Sequence, residues 1–302
     1  MVYQHSHPVE TAPERVQGSV RRLTFHRSRE RRPRPAGKGL GSRSRHGTAY
    51  ALLILGRVVL SPPDVGAGHE QEPATTGPEC VILLHGLGRT NRSLGKMADA
   101  LEAAGFRPVN LGYPSRKKTI QELAVETIER GLGRCARMQA RSVHFVTHSM
   151  GGVLVRYFLS RHRPENLGRV VMLSPPNQGS EAADHLRDSA LYEWFNGPAG
   201  QQLVTGPDGL PEQLGPVDFP LGIITGNQHS FFDAWLADVI PGTDDGKVSV
   251  ERAKVEGMAD FLVLPYSHPF IMNASEVIEQ TLQFLRSGRF GARRPSAEGS
   301  SD

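Results

Sequence analysis

The chain has 302 residues, which fits one large α/β domain or two ordinary ones. Its apolar content is roughly 47% once Gly is added and Tyr set aside, inside the globular range, so wholesale disorder is excluded. With two cysteines and no apolar run near the ~18–20 residues of a membrane span, the residues also exclude a disulfide scaffold and a polytopic membrane protein.

The net charge of +4 is unevenly placed. Residues 1–50 hold 11 Lys and Arg against 3 Asp and Glu, leaving 24 basic and 28 acidic residues in 51–302, a net of −4. Residues 1–48, with the run Arg27-Ser28-Arg29-Glu30-Arg31-Arg32-Pro33-Arg34-Pro35, show neither strand nor helix periodicity and read as a disordered tail. An apolar segment follows at 49–60 (AYALLILGRVVL), interrupted by Arg57 and ended by Ser61-Pro62-Pro63. Basic residues before it and small residues after it point to a secretory signal or a membrane-surface tether as the alternative to a cytoplasmic protein. Residues 61–77, rich in Pro, Gly and Glu, read as a linker.

From Cys80 onward, apolar runs alternate with amphipathic stretches. The predicted strands are Cys80–Leu84, Pro108–Leu111, Val143–Thr147, Arg169–Leu173, Leu221–Thr225 and Phe261–Leu264. Each is almost continuously apolar, as in a parallel sheet covered on both faces. Helices are predicted over Ser93–Ala104, Ile120–Gly131, Met150–Ser160 and Ser275–Leu285. The order implies an α/β fold: a doubly wound, mostly parallel sheet of about six strands with helices on both faces, in one domain over 78–290. A lid-like insertion is expected over 176–219, where Ala182, Ala183, Leu186, Ala190, Leu191, Trp194 and Phe195 recur at rough helical spacing. Its alternative is a helix that simply packs on the core. Residues 291–302 read as a second disordered tail.

The segment Val143-His144-Phe145-Val146-Thr147-His148-Ser149-Met150-Gly151-Gly152 runs from strand to helix through a serine. This is the context of a nucleophile elbow, a sharp turn that lifts a hydroxyl above the sheet edge at a helix N-terminus. Gly151 is needed where any side chain would strike the neighbouring strand. Thr147 stands where the strict G-x-S-x-G pattern has its first Gly. The alternative for Ser149 is an ordinary helix N-cap. A second segment, Leu84-His85-Gly86-Leu87-Gly88, leads from the first strand into a glycine-rich loop. There the Leu87 N–H, with that of Met150, makes a two-donor oxyanion hole, while His85 shapes the loop.

A serine hydroxyl needs an imidazole to activate it and a carboxylate to orient that imidazole. Of the histidines after Ser149, His268 follows the last predicted strand and so lies at the same sheet edge as the serine. The acid lies in Thr243-Asp244-Asp245-Gly246-Lys247-Val248, where either aspartate is placed to serve; a plain Asp-Gly turn is the alternative. The spacing of an EF-hand calcium loop is absent, and neither a metal nor a cofactor is expected. Cys80 and Cys135 both fall near the opposite sheet edge, where a disulfide would be expected only after export.

The chain resembles the α/β-hydrolases, specifically small bacterial lipases and esterases whose domain begins at the strand before the His-Gly loop. The resemblance spans residues 78–290. It rests on His85-Gly86-Leu87, Thr147-His148-Ser149-Met150-Gly151-Gly152, Asp244-Asp245-Gly246-Lys247-Val248 and Ser267-His268-Pro269-Phe270. It implies a minimal α/β-hydrolase fold, a Ser149-His268-Asp245 triad with Asp244 as runner-up for the acid, and an acyl ester or lipid as substrate. An acyltransferase or thioesterase with the same triad, and a binding module using the basic tail on nucleic acid or anionic lipid, are the alternatives; no nucleic-acid partner is expected of the leading reading.

Overall fold

The computed structural model describes residues 76–186, 190–231 and 240–292. The Arg-rich segment 1–48, the apolar segment 49–60, the linker up to residue 75 and the tail from residue 293 lie outside the described residues.

Six strands form one sheet: β1 (Glu79–Leu84), β2 (Arg107–Leu111), β3 (Ser142–His148), β4 (Leu167–Leu173), β5 (Leu221–Gly226) and β6 (Asp260–Leu264). All pairs are parallel, in the order β2-β1-β3-β4-β5-β6. The long helices are α1 (Gly95–Ala103), α2 (Ile120–Arg137), α3 (Met150–Leu159) and, at the end of the chain, α8 (Ser275–Ser287). Between β4 and β5 lie α4 (Glu181–Leu186), α5 (Ala190–Gln201) and α6 (Leu210–Gln213); α7 (Val250–Ala253) precedes β6.

Strand periodicity divides the core in two. Cys80, Ile82 and Leu84 of β1 face α2 and α3 together with Phe145, Val170 and Ile223. The alternate residues Val81 and Leu83 face α1 and α8 with Val146, Val171 and Ile224. Both sets are fully buried, which is why these strands carry no polar face in the sequence.

Helix α2 runs past its predicted end at Gly131 to Arg137. A Cβ on Gly131 would stand 2.9 Å from Ile82 Cδ1 and 3.0 Å from Leu111 Cδ1, so this glycine lets the helix lie close on the sheet instead of ending it. Cys135 is consequently inside α2 rather than after it, and it is bonded to Cys80 with a Cα–Cα distance of 5.7 Å. Both cysteines are buried near the amino-terminal end of the sheet. Among the described residues, no helix is long and apolar enough to cross a membrane.

Candidate functional site

In a doubly wound sheet, ligands bind at the carboxyl ends of the strands where strand order reverses. Here the reversal lies between β1 and β3, and the two motifs singled out in the sequence follow these two strands.

Ser149 sits between β3 and α3 with φ 53° and ψ −126°, a left-handed conformation that a non-glycine residue seldom holds. Its side chain makes no cap hydrogen bond, although it occupies the N-cap position. Its backbone N–H is fixed by the Leu173 carbonyl at 2.8 Å. The turn is tight because β1 passes alongside: a Cβ at Gly151 would lie 2.5 Å from the Leu84 carbonyl oxygen. Thr147 is fully buried with Leu84 of β1 and Met172 of β4 opposite it in register, and a β-branched residue fits there in place of glycine.

Instead of capping its helix, the Ser149 hydroxyl meets His268. Oγ is 3.0 Å from Nε2, and on the other side of the ring Nδ1 is 2.9 Å from Asp245 Oδ2. A carboxylate only accepts, so Nδ1 carries the proton and Nε2 is free to accept from the serine. Backbone contacts hold the arrangement as well. The His268 N–H donates to the Asp245 carbonyl at 2.8 Å, and Asp245 Oδ1 accepts from the N–H groups of Lys247 and Val248 at 3.1 and 3.0 Å. Burial by itself pushes the Asp245 carboxyl up. The charge and hydrogen bond of His268, with the Ser174 hydroxyl and the Val248 N–H, outweigh burial and hold it below its usual 3.8.

The two aspartates of the turn have separate partners. Asp244 Oδ1 lies 2.8 Å from His229 Nε2 and accepts from the Gly246 N–H at 2.7 Å. That geometry decides between the two aspartates as partners of His268 and gives Asp244 the task of shaping the turn.

His85 is buried and stacks on Tyr113, with ring centroids 4.0 Å apart. Its Nδ1 donates to the Gly86 carbonyl at 2.9 Å, the Tyr113 hydroxyl donates to the His85 carbonyl, and the Gly88 N–H donates to Ser115 Oγ at 3.0 Å. These bonds occupy the carbonyls of His85 and Gly86. Leu87 lines a cavity with Gly86 and Ser149; Met150, at the first position of α3, has no carbonyl within its own helix for its N–H.

His148 has more structure around it than the elbow pattern implies. It is buried, its Nε2 lies 3.0 Å from the His268 carbonyl oxygen, and the two rings are 4.9 Å apart. A carbonyl only accepts, so His148 carries its proton on Nε2. Burial first, and the neighbouring His268 second, hold its imidazole well below 6.5 and therefore uncharged. Ser174, with φ 47° at the end of β4, is a second strained residue beside the acid. The bonds of His148 to His268 and of His229 to Asp244, and the place of Ser174 beside Asp245, carry no sequence signal, since each joins residues of different elements.

The cavity over Ser149 measures about 200 Å³. Gly86, Leu87, His148 and Ser149 line it on the side of β1 and β3, and Pro176, Ala182, Ala183 and Leu203 of the β4–β5 insertion also line it. The side chains of Ala190, Leu191, Trp194 and Phe195 lie outside those described. Among the described residues, no cluster of His, Cys, Asp and Glu is arranged to hold a metal.

No protein-family model matches the chain, and no curated protein matches it in sequence. Solved structures do. The mature form of Bacillus licheniformis lipase BlEst2 matches with a TM-score of 0.53 at 20% identity, over 67% of this chain and 89% of that one. The chain has the α/β-hydrolase fold. The propeptide form of the same lipase gives 0.54 at 20% identity over 70% of this chain, which spans about half (51%) of that one. Phospholipase PlaB from Legionella pneumophila, in complex with thio-NAD, gives 0.52 at 18% identity over 69% of this chain and 62% of that one. At these identities the likeness bears on the fold, and the chemistry rests on the side chains of this chain.

Proposed function

We propose that the protein is a serine hydrolase of carboxylic esters. The observation that carries this reading is the chain Ser149 Oγ, His268 Nε2, His268 Nδ1, Asp245 Oδ2, with both contacts at hydrogen-bond distance and the serine on a strained strand-to-helix turn. Ser149 Oγ attacks the acyl carbon as its proton passes to His268 Nε2. The Asp245 carboxylate stabilises the resulting imidazolium at Nδ1. The oxyanion accepts from the N–H groups of Leu87 and Met150. His268 then returns the proton to the leaving alcohol, and a water deprotonated by the same imidazole releases the acid from the acyl-enzyme. The lipase and phospholipase named among the structural neighbours agree with this class of substrate.

A cavity of about 200 Å³ is smaller than the ~300–1,000 Å³ of drug-sized sites, so the acyl group it takes is short. Across p-nitrophenyl esters from acetate to palmitate, kcat/KM peaks among the short chains, and Ser149→Ala lowers kcat by at least about 10⁴-fold. A palmitate optimum contradicts the size argument; full activity in Ser149→Ala contradicts the mechanism.

Export fits better than a cytoplasmic home, because the buried Cys80–Cys135 bond is of a kind formed in oxidising compartments. Counting thiols in protein taken from its native compartment checks this: none free is expected, and two free thiols contradict it.

A further inference from the structure

The charged residues lining the Ser149 cavity are opposite in sign to the net charge of residues 51–302. Residues 51–302 carry a net charge of −4. Yet the described residues that line the cavity include two cations, Arg89 and Lys247, and no aspartate or glutamate. Arg89 follows the Gly86–Gly88 loop and Lys247 follows Asp245 and Gly246, so the two cations reach the cavity from different loops. Both are exposed. Arg89 gives one N–H to the Pro269 carbonyl at 3.3 Å. The backbone of Lys247 is occupied, its N–H by Asp245 and its carbonyl by the Ser180 hydroxyl, while its ammonium has no hydrogen-bond partner among the described residues.

Neither cation forms an ion pair among the described residues. The acids of the surrounding turns are committed elsewhere: Glu181 to Arg252, Asp184 to Thr205, Asp244 to His229 and Asp245 to His268. The same lining holds buried apolar side chains, with Ala182, Ala183, Leu203 and Val248 each under a tenth exposed. An uncharged alkyl ester would use that apolar interior and leave the two cations without a role.

We propose that the preferred substrates are esters whose alcohol part carries an anion, a carboxylate or a phosphate ester, while an apolar acyl chain fills the cavity. The acyl chain takes the apolar end because its carbon must reach Ser149 with the chain out of water; the departing alcohol then lies at the mouth, between Arg89 and Lys247. Two cations with no ion pair among the described residues, facing one anion, add ion-pair binding there and focus anionic substrates toward the cleft in a salt-dependent way. This inference rests on the ester-hydrolase reading above.

The test compares kcat/KM of the full chain for phenyl butyrate, 4-butyryloxybenzoate with its carboxylate on the alcohol side, and monophenyl glutarate with its carboxylate on the acyl side. Each value is divided by the ester's uncatalysed hydroxide rate. Two exposed ion pairs give about a 10-fold preference for 4-butyryloxybenzoate over phenyl butyrate at low salt. The preference shrinks as salt rises and falls at least about 3-fold in Arg89→Gln/Lys247→Gln. Monophenyl glutarate shows no gain. Monobutyrin against its glycerol-phosphate counterpart extends the comparison to phosphate, and the larger gain of the two names the preferred anion. The salt series on the unaltered protein decides the matter even if the double variant does not fold. Turnover of phenyl butyrate with no preference for any anionic alcohol overturns this inference and leaves the hydrolase reading intact. A gain for the glutarate ester instead overturns the placement of the anion. No turnover of any ester overturns both.

Discussion

At the scale of single residues, His148 makes a prediction that separates positioning from packing. Its Nε2–H on the His268 carbonyl ties His268 to the turn that carries Ser149. His148→Phe keeps a ring in the space but leaves that buried carbonyl unsatisfied, a cost of about 1–3 kcal/mol. We expect kcat to fall about 10-fold or more with KM little changed, and His148→Gln, which restores a donor, to recover part of the loss. Equal kinetics in all three proteins would remove His148 from the account. Ser149, His268 and Asp245 stand out in the sequence because each follows a recognisable strand or sits in an Asp-Gly turn. The bonds of His148 to His268 and of His229 to Asp244 have no such mark. Those pairings join residues 120 and 15 positions apart and exist only once the strand ends are side by side.

At the scale of elements, all six strands were legible, since strands buried on both faces leave unbroken apolar runs. The end of α2 was not, because a glycine that allows close packing looks the same in sequence as one that stops a helix. The extra turns of α2 carry Cys135 over the start of β1, where it joins Cys80. The bond closes a 55-residue separation, for which loop entropy amounts to about 4 kcal/mol. Cys80→Ala/Cys135→Ala should therefore lose roughly that much in urea unfolding with its esterase kcat retained, since both cysteines lie at the sheet edge away from Ser149. A loss near zero would mean the linked and unlinked chains differ little when unfolded. The short helices α6 and α7 have little periodicity to reveal them; tertiary contacts define them. One such contact is the buried Arg156 of α3, which donates to the Asn177 and Gly215 carbonyls at 2.6 and 2.7 Å and ties both ends of the insertion to the core.

For the whole molecule, three buried imidazoles link stability to pH. Burial is the main cause in each: it lowers His85, takes His144 to about 4 and holds His148 well below 6.5. In the unfolded chain these groups protonate near 6.5, so that state binds more protons below this pH, and folding stability falls as the pH drops from 6.5 toward 4. His144 alone accounts for about 3 kcal/mol across that window. The lowered Asp245 carboxyl acts in the same direction at more acid pH, losing its contribution as pH falls below 3.8. Melting temperature should therefore be level above pH 7 and decline steadily from pH 6.5 to 4.5. A flat profile in that range would contradict the buried, neutral histidines. The charge of +4 on the whole chain plays no part in this, nor in the site. It separates into a basic amino-terminal segment and a net-acidic remainder, within which the described lining of the cavity carries only cations.

The claim on which the rest depends is that Ser149 is the nucleophile. Incubation with a fluorophosphonate, followed by intact-mass and peptide mass spectrometry, tests it directly. One adduct on the peptide containing Ser149 is predicted, absent in Ser149→Ala and formed far more slowly in His268→Ala. An adduct on another residue, or undiminished labelling in Ser149→Ala, would contradict it.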